Sequence, residues 1–170
     1  MKVLITGTEG IALELFNLYK ETNDVVMVSR RNGYNIRDID KWGNEFLDFD
    51  VVFNNAYDGF YQVDVLNFFY NNWKNNSLKS IINIGSRCIT YKNSSQPEVW
   101  PYRLHKQALQ TAFDSMISNA KCDIKIINPG PADTKMTAAE TYSKFTVKEL
   151  AEKIKMYAED RTIKRIDLWL

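Results

Sequence analysis

Short β-branched runs alternate along the chain with longer stretches whose apolar residues recur at helical spacing. Lys2 to Thr6 reads as a buried strand that ends at a glycine turn. Ile11 to Glu21 follows as a helix, with Ile11, Leu15 and Leu18 on one stripe and Ala12 and Phe16 beside it. Val25 to Ser29 is a second strand and Tyr34 to Ile36 a short third. Asp38 to Leu47 is helical, capped by Asp38, with Ile39, Trp42 and Phe46 on one face. Further strands are expected at Val51–Phe53, Ser80–Ile84, Asp123–Ile127 and Arg165–Leu170. Helices are expected at Val63–Asn72 and Tyr102–Asn119. A further helix opens at the capping box Thr146-Val147-Lys148-Glu149. Continuous apolar strands alternating with helices predict an α/β, doubly wound fold. Its sheet is mostly parallel, of about seven strands, with helices on both faces. Between Ser29 and Tyr34 there is no room for a crossover helix, so the fold is reduced there.

Composition narrows the function classes. The 170 residues, 45% hydrophobic, suffice for one domain and are too few for two ordinary ones, so 1–170 is read as a single domain. Lys and Arg number 22 against 21 Asp and Glu, which gives no global electrostatic case for nucleic acid or an acidic membrane. No apolar run approaches the ~20 residues that span a bilayer. The N-terminus reads as a first strand rather than a signal peptide, and the expected location is cytoplasmic. Two cysteines and one histidine, His105, exclude a disulfide framework and argue against a zinc cluster, so no metal is expected.

The first turn carries the first chemical signal. Thr6-Gly7-Thr8-Glu9-Gly10-Ile11 joins a strand to a helix. Gly7 permits the tight turn, and Gly10 lets backbone approach a pyrophosphate at the positive helix N-terminus. About 20 residues on, an NAD site would carry a carboxylate for the ribose hydroxyls. Ser29-Arg30-Arg31 stands there instead. A guanidinium pairs with a 2′-phosphate, so NADP(H) is expected over NAD(H). The other reading of Arg30 and Arg31 is two solvated surface arginines.

The chain resembles the short-chain dehydrogenase/reductase family in five pieces that occur in family order and span nearly its whole length. These are Thr6-Gly7-Thr8-Glu9-Gly10-Ile11-Ala12, Asp50-Val51-Val52-Phe53-Asn54-Asn55-Ala56, Ile82-Asn83-Ile84-Gly85-Ser86, Tyr102-Arg103-Leu104-His105-Lys106 and Asn128-Pro129-Gly130-Pro131-Ala132-Asp133-Thr134. The resemblance implies a Rossmann fold and hydride transfer between nicotinamide and a small carbonyl or alcohol substrate. Tyr102 and Lys106, at i and i+4, share a helical face. A nearby ammonium is expected to lower the phenol pKa so that Tyr102 acts as general acid/base. The resemblance further implies that Ser86 binds the substrate oxygen and that Lys106 holds the nicotinamide ribose. Asn55 and Ala56, with Asn54, would line the adenosine side, and Asn35 and Ile36 would contact adenine. Pro129, Gly130 and Thr134 would lie against the nicotinamide. A homodimer through helices 63–73 and 102–119 is expected, because the first of these is apolar on more faces than one sheet contact needs.

Several positions depart from the family pattern. The glycine spacing matches neither common form of the turn, and the chain is short. Tyr57 replaces a small residue after Asn-Asn-Ala, and reads either as a wall of the cofactor cleft or as a surface aromatic. The asparagine that many members place near the lysine has no clear counterpart; Asp64 and Asn67 are nearest by register. His105 reads as a packing residue. Arg87 reads either as a partner for an anionic substrate or as one for a surface carboxylate; Tyr91 and Trp100 lie on the same loop. Met136, Tyr142 and Phe145 are the apolar residues of a short substrate flap. These departures keep a second function open, a non-catalytic NADP(H)-binding sensor or regulatory module on the same fold.

Overall fold

A computed structural model describes residues 1–90, 100–134, 137–138, 141 and 143–169. Tyr91, Met136 and Tyr142 fall outside the described residues.

Six strands are present among the described residues: β1 (Lys2–Thr6), β2 (Asp24–Val28), β3 (Val51–Asn54), β4 (Ser80–Ile84), β5 (Asp123–Pro129) and β6 (Arg165–Leu168). They form one all-parallel sheet in the order β2-β1-β3-β4-β5-β6. The helices are α1 (Ile11–Tyr19), α2 (Ile39–Trp42), α3 (Tyr61–Trp73), α4 (Trp100–Met116) and α5 (Val147–Glu159). Successive strand residues feed opposite faces, as the pleat requires. Leu4, Val52, Ile81, Ile124 and Ile126 pack under α3 and α4. Val3, Ile5, Phe53, Ile82 and Ile127 pack under α1 and α5. Both faces are therefore covered, which explains why these strands read as unbroken apolar runs.

The expected strand at Tyr34–Ile36 does not form. Arg30–Asn32 and Ile36–Asp38 are single 3₁₀ turns instead. Their backbone donors are taken locally: the Ser29 hydroxyl accepts from Arg31 N at 3.2 Å and the Asn35 side-chain oxygen Oδ1 from Arg37 N at 3.1 Å. Side chains of this kind compete with a sheet ladder for backbone groups. The sheet thus has six strands, with β2 at its edge.

Residues 34–49 nevertheless carry a large apolar load. Ile36, Ile39, Trp42, Phe46 and Phe49 are buried and join one core with Leu66, Phe69 and Trp73 of α3. Tyr34, Trp42, Phe46 and Phe49 form a chain of edge-to-face rings. This packing accounts for the surplus apolar faces of α3 within one chain. The exposed large apolar residues on α3, on α4 and just before α3 are Phe60, Tyr61, Trp100 and Leu104.

Gly43 lies where this segment meets α3. A Cβ there would stand 2.5 Å from Phe68 Cε1 and 2.6 Å from Cζ. Gly43→Ala is expected to destabilise the protein by about 1–3 kcal/mol through overpacking, read as a lower urea midpoint at unchanged slope. An unchanged midpoint would show that Phe68 can swing aside at no cost.

Candidate active site

The chain's chemistry gathers at the C-terminal ends of β1, β3 and β4. The connection after β1 runs to β2 on one side and the connection after its neighbour β3 runs to β4 on the other, so a crevice opens between β1 and β3. Thr6 ties its two lips together. Its Oγ1 donates to Phe53 O and accepts from the backbone N–H groups of Asn55 and Ala56, each at 2.9 Å. The Asn55 side-chain amide donates to Thr6 O at 3.2 Å.

The glycine turn is shaped by close approach. Gly7 has φ 101°, and a Cβ on it would lie 3.0 Å from Asn55 Nδ2 and 3.3 Å from Ala12 Cβ. Gly10, with φ 57°, precedes α1, whose start carries no side-chain cap. Its first N–H groups therefore have no intrahelical partner. Among the described residues, Thr134 Cγ2 is the neighbour within 4 Å of the position of a Cβ on Gly10, at 3.7 Å. An uncapped helix start behind a positive-φ glycine is a cradle of the kind an oxyanion fills. Thr8 Oγ1 reaches Ser29 Oγ at 3.4 Å across the lip.

Arg30 and Arg31 project from the end of β2 with about three-quarters of each side chain exposed. Neither is simply solvated: Arg31 pairs with Glu9, and Arg30 lies 4.0 Å from Asp58. Asp58 is held more tightly by Arg37, whose Nε and Nη2 reach its two oxygens at 2.7 and 2.9 Å. That contact holds the Asp58 carboxyl below its ordinary range. Asn35 caps the turn that follows, and Ile36 is buried in the core.

Ser86, Tyr102 and Lys106 come together. Ser86 follows β4, with its backbone N–H donating to Asn128 Oδ1 at 3.1 Å. That oxygen would lie 1.9 Å from a Cβ on Gly85, so a glycine is obligatory before the serine. Asn128 is itself fixed by bonds from its amide to Gln110 and Asp167. The Ser86 hydroxyl accepts from Cys88 N at 3.2 Å, and its side chain is near enough to the Tyr102 hydroxyl to oppose the rise of that phenol's pKa. Lys106 is buried one helical turn along α4. Its Nζ donates at 2.8 Å both to Gln62 Oε1 and to Ile84 O.

The electrostatics differ from the sequence expectation. Burial pushes the Tyr102 phenol well above its ordinary value, and only the neighbouring Ser86 side chain opposes this. Burial also drives Lys106 down to about 7. The ammonium protons are aimed at Gln62 and Ile84, and Nζ sits 5.6 Å from the centre of the Tyr102 ring. A low-dielectric site makes either charge costly, so desolvation outweighs their mutual attraction. Tyr102 is thus kept as an acid, with its proton on.

One residue of this site, Gln62, escaped the sequence reading. Gln62, at the start of α3, is buried and joins four groups: besides Lys106, its Nε2 donates to Asn54 O at 2.7 Å and Ile84 O at 3.0 Å, and its own backbone oxygen accepts from Asn54 Nδ2. Asp64 and Asn67 instead border a surface hollow with Arg37 and Asp40. Tyr57 and His105 form an aromatic wall. Tyr57 packs edge-on against Tyr102, with centroids 4.8 Å apart, and its hydroxyl bonds His105 Nδ1 at 2.8 Å. Phe60 closes the other side of the His105 ring. The signal for Gln62 was present, a glutamine between apolar residues, and Tyr57 takes the first of its two readings, a wall of the crevice.

Pro129 ends β5, and Gly130 N donates to Leu168 O at 3.1 Å. Thr134 lies against the glycine turn. A separate open cavity of about 540 Å³ is bordered by Phe145, Glu149, Glu152, Lys153, Met156 and Trp169. No described helix is long and apolar enough to cross a membrane.

No protein-family model and no curated protein matches the chain. Solved structures do. A short-chain dehydrogenase from Burkholderia cenocepacia in complex with NADP aligns over 99% of this chain and 88% of its own, with a TM-score of 0.80 at 18% identity. A short-chain dehydrogenase/reductase from Vibrio parahaemolyticus aligns over 98% of both chains, with a TM-score of 0.75 at 14% identity. An alcohol dehydrogenase from Thermococcus sibiricus, complexed with 5-hydroxy-NADP, aligns over 98% and 95%, with a TM-score of 0.74 at 15% identity. The likeness runs the length of each chain, and this protein has the fold of the short-chain dehydrogenases/reductases.

Proposed function

We propose that the chain is an NADP(H)-dependent oxidoreductase of the short-chain dehydrogenase/reductase type, acting on a carbonyl/alcohol pair. The observation that carries this reading is the placement of Tyr102 over the buried, anchored Lys106, 5.6 Å from ring centre to Nζ, with Ser86 at the end of β4 beside them and the Gly10 turn at the end of β1. NADP, NADPH or an NADP derivative is bound in several structures of this fold, which supports the same cofactor here.

The dinucleotide would be held by Gly7, Thr8, Glu9, Gly10 and Ile11 at the pyrophosphate, and by Ser29, Arg30 and Arg31 at the adenosine end. Asn35, Ile36, Asn55 and Ala56 would border the adenosine, and Pro129, Gly130 and Thr134 the nicotinamide side. When bound, a reduced nicotinamide supplies the hydride that adds to the carbonyl carbon. Ser86 donates to the carbonyl oxygen and orients it. Tyr102, whose proton is retained by burial, delivers that proton to the oxygen as negative charge develops on it. Lys106, anchored by Gln62 and Ile84 O, holds its cation 5.6 Å from the centre of the Tyr102 ring and would offer its remaining proton to the nicotinamide ribose. In the oxidative direction the same phenol must first be ionised, so its high pKa favours reduction.

Titration with NADPH and NADH, followed by nicotinamide fluorescence, tests the reading. Tight NADPH binding is expected, with weaker NADH binding. Arg30→Ala combined with Arg31→Ala is expected to weaken NADPH by about 10- to 100-fold, the worth of one or two charge-assisted bonds, and to leave NADH nearly unchanged. Equal losses for both nucleotides would remove the phosphate role. Tight binding with no turnover across a broad carbonyl panel would favour the sensor function.

A further inference from the structure

Arg87 follows Ser86 directly and is 6% exposed. Among the described residues its guanidinium makes no ion pair, and its Nε is buried with no hydrogen-bond partner. It stacks against the ring of Trp169, and Nη1 points at Gly130, 3.4 Å from where a Cβ would sit. The other buried cations are treated differently. Lys106 has Gln62 and Ile84 O; Lys125 has Asp123 and the carbonyls of Tyr157 and Asp160. An arginine cannot escape burial by shedding its proton, so a buried guanidinium without acceptors is a cation waiting for an anion. Arg103, next to Tyr102 on α4, also leaves a buried Nε unpartnered. The two arginines thus flank Ser86 and Tyr102 in sequence. Glu149 and Glu152 border the cavity beyond Trp169, and among the described residues neither forms an ion pair with Arg87 or Arg103.

We propose that Arg87 receives an oxyanionic group of the substrate, so that the substrate is a small carbonyl or hydroxy compound bearing a carboxylate or a phosphate. The inference rests on the oxidoreductase reading above and names its substrate class. Consecutive Cα atoms are ~3.8 Å apart, so Ser86 and Arg87 can address two ends of one short molecule. A guanidinium grips a carboxylate or phosphate through two parallel bonds and thereby fixes orientation as well as affinity. Gly130 borders this placement, with Nη1 in ordinary van der Waals range of where its Cβ would sit. The oxyanion takes no part in bond making; it holds the carbonyl carbon in register with Ser86 and Tyr102.

The test compares short oxo acids, their methyl esters and phosphorylated aldehydes as substrates with NADPH. In the unaltered protein an anionic substrate is expected to exceed its neutral counterpart at least tenfold in kcat/KM; whether acids or phosphates lead identifies the anion. In Arg87→Met that ratio falls toward one through a higher KM, and Arg87→Lys recovers part of it. Esters turned over as well as acids would overturn the proposal. So would a loss of NADPH affinity in Arg87→Met, which would assign the guanidinium to the cofactor. Thermal unfolding with short oxo acids and with glycolaldehyde phosphate, run without nucleotide and against matched sodium chloride, separates the two readings. A midpoint raised by one of these anions in the unaltered protein but not in Arg87→Met supports the anion site even if NADPH fails to bind. No rise with any of them overturns it even if NADPH binds.

Discussion

Replacing Tyr102 with phenylalanine is expected to lower the rate of carbonyl reduction by about 10²- to 10⁴-fold, the usual worth of a positioned general acid, with NADPH affinity unchanged within a few-fold. The substitution removes only the hydroxyl. The ring keeps its edge contact with Tyr57 and its place over Lys106, so the wall of the crevice survives. Only the proton donor and the Ser86 contact are lost. Because burial raises the phenol, the unaltered protein should hold its reductive rate up to high pH, and oxidation of an alcohol should climb with pH as the phenolate becomes accessible. In Tyr102→Phe that climb should vanish. Unchanged turnover in the variant would show that the proton comes from elsewhere, with His105 beside Tyr57 as the nearest alternative donor. Stopped-flow measurement of NADPH oxidation, with nucleotide binding measured in parallel, separates loss of chemistry from loss of cofactor.

The sequence conveyed the fold through periodicity and the site through residue type. Apolar runs at Val3–Ile5, Val52–Phe53 and Ile81–Ile82 could only be strands buried on both faces, and they are. Residues 34–49 misled because their apolar content is real but serves another surface. Ile36 and Trp42 pack on α3 rather than extending the sheet, and polar caps from Ser29 and Asn35 decide the local backbone. Apparent surplus apolarity on α3 had the same origin: its partner is non-local, and periodicity within one helix cannot show which other segment covers it. At the site, Ser86, Tyr102 and Lys106 were legible because their types and spacing are chemical. Gln62 was not, because its role depends on α3 starting two residues earlier than the apolar pattern alone suggests. The sign of the Tyr102 shift was also out of reach. It follows from burial and from the direction of the Lys106 hydrogen bonds, neither of which spacing determines.

Gln62→Leu is expected to cost about 2–4 kcal/mol of stability at pH 6 and distinctly less at pH 9. The glutamine is buried and keeps three side-chain partners, so leucine of similar bulk leaves polar groups unpaired rather than opening a large hole. Each buried group so stranded costs about 1–3 kcal/mol. The pH dependence comes from Lys106. Its folded pKa, about 7, lies below the ordinary 10.5, so between those values the unfolded chain binds the extra proton. For this group stability therefore rises from pH 7 toward pH 10, by at most about 1.4 kcal/mol per unit, and below pH 7 the penalty is fully present. Gln62 Oε1 accepts from the ammonium and so favours the charged form; without it the folded pKa falls further. The difference between variant and unaltered protein consequently widens as pH drops through 7. Urea midpoints at the two pH values measure it. Equal losses at pH 6 and pH 9 would mean that Gln62 serves only the Asn54 and Ile84 carbonyls. A widening loss, with the pH at which kcat/KM declines also moving down, would make Gln62 the residue that keeps Lys106 charged at neutral pH, the place that Asp64 and Asn67 could not fill from their side of the helix.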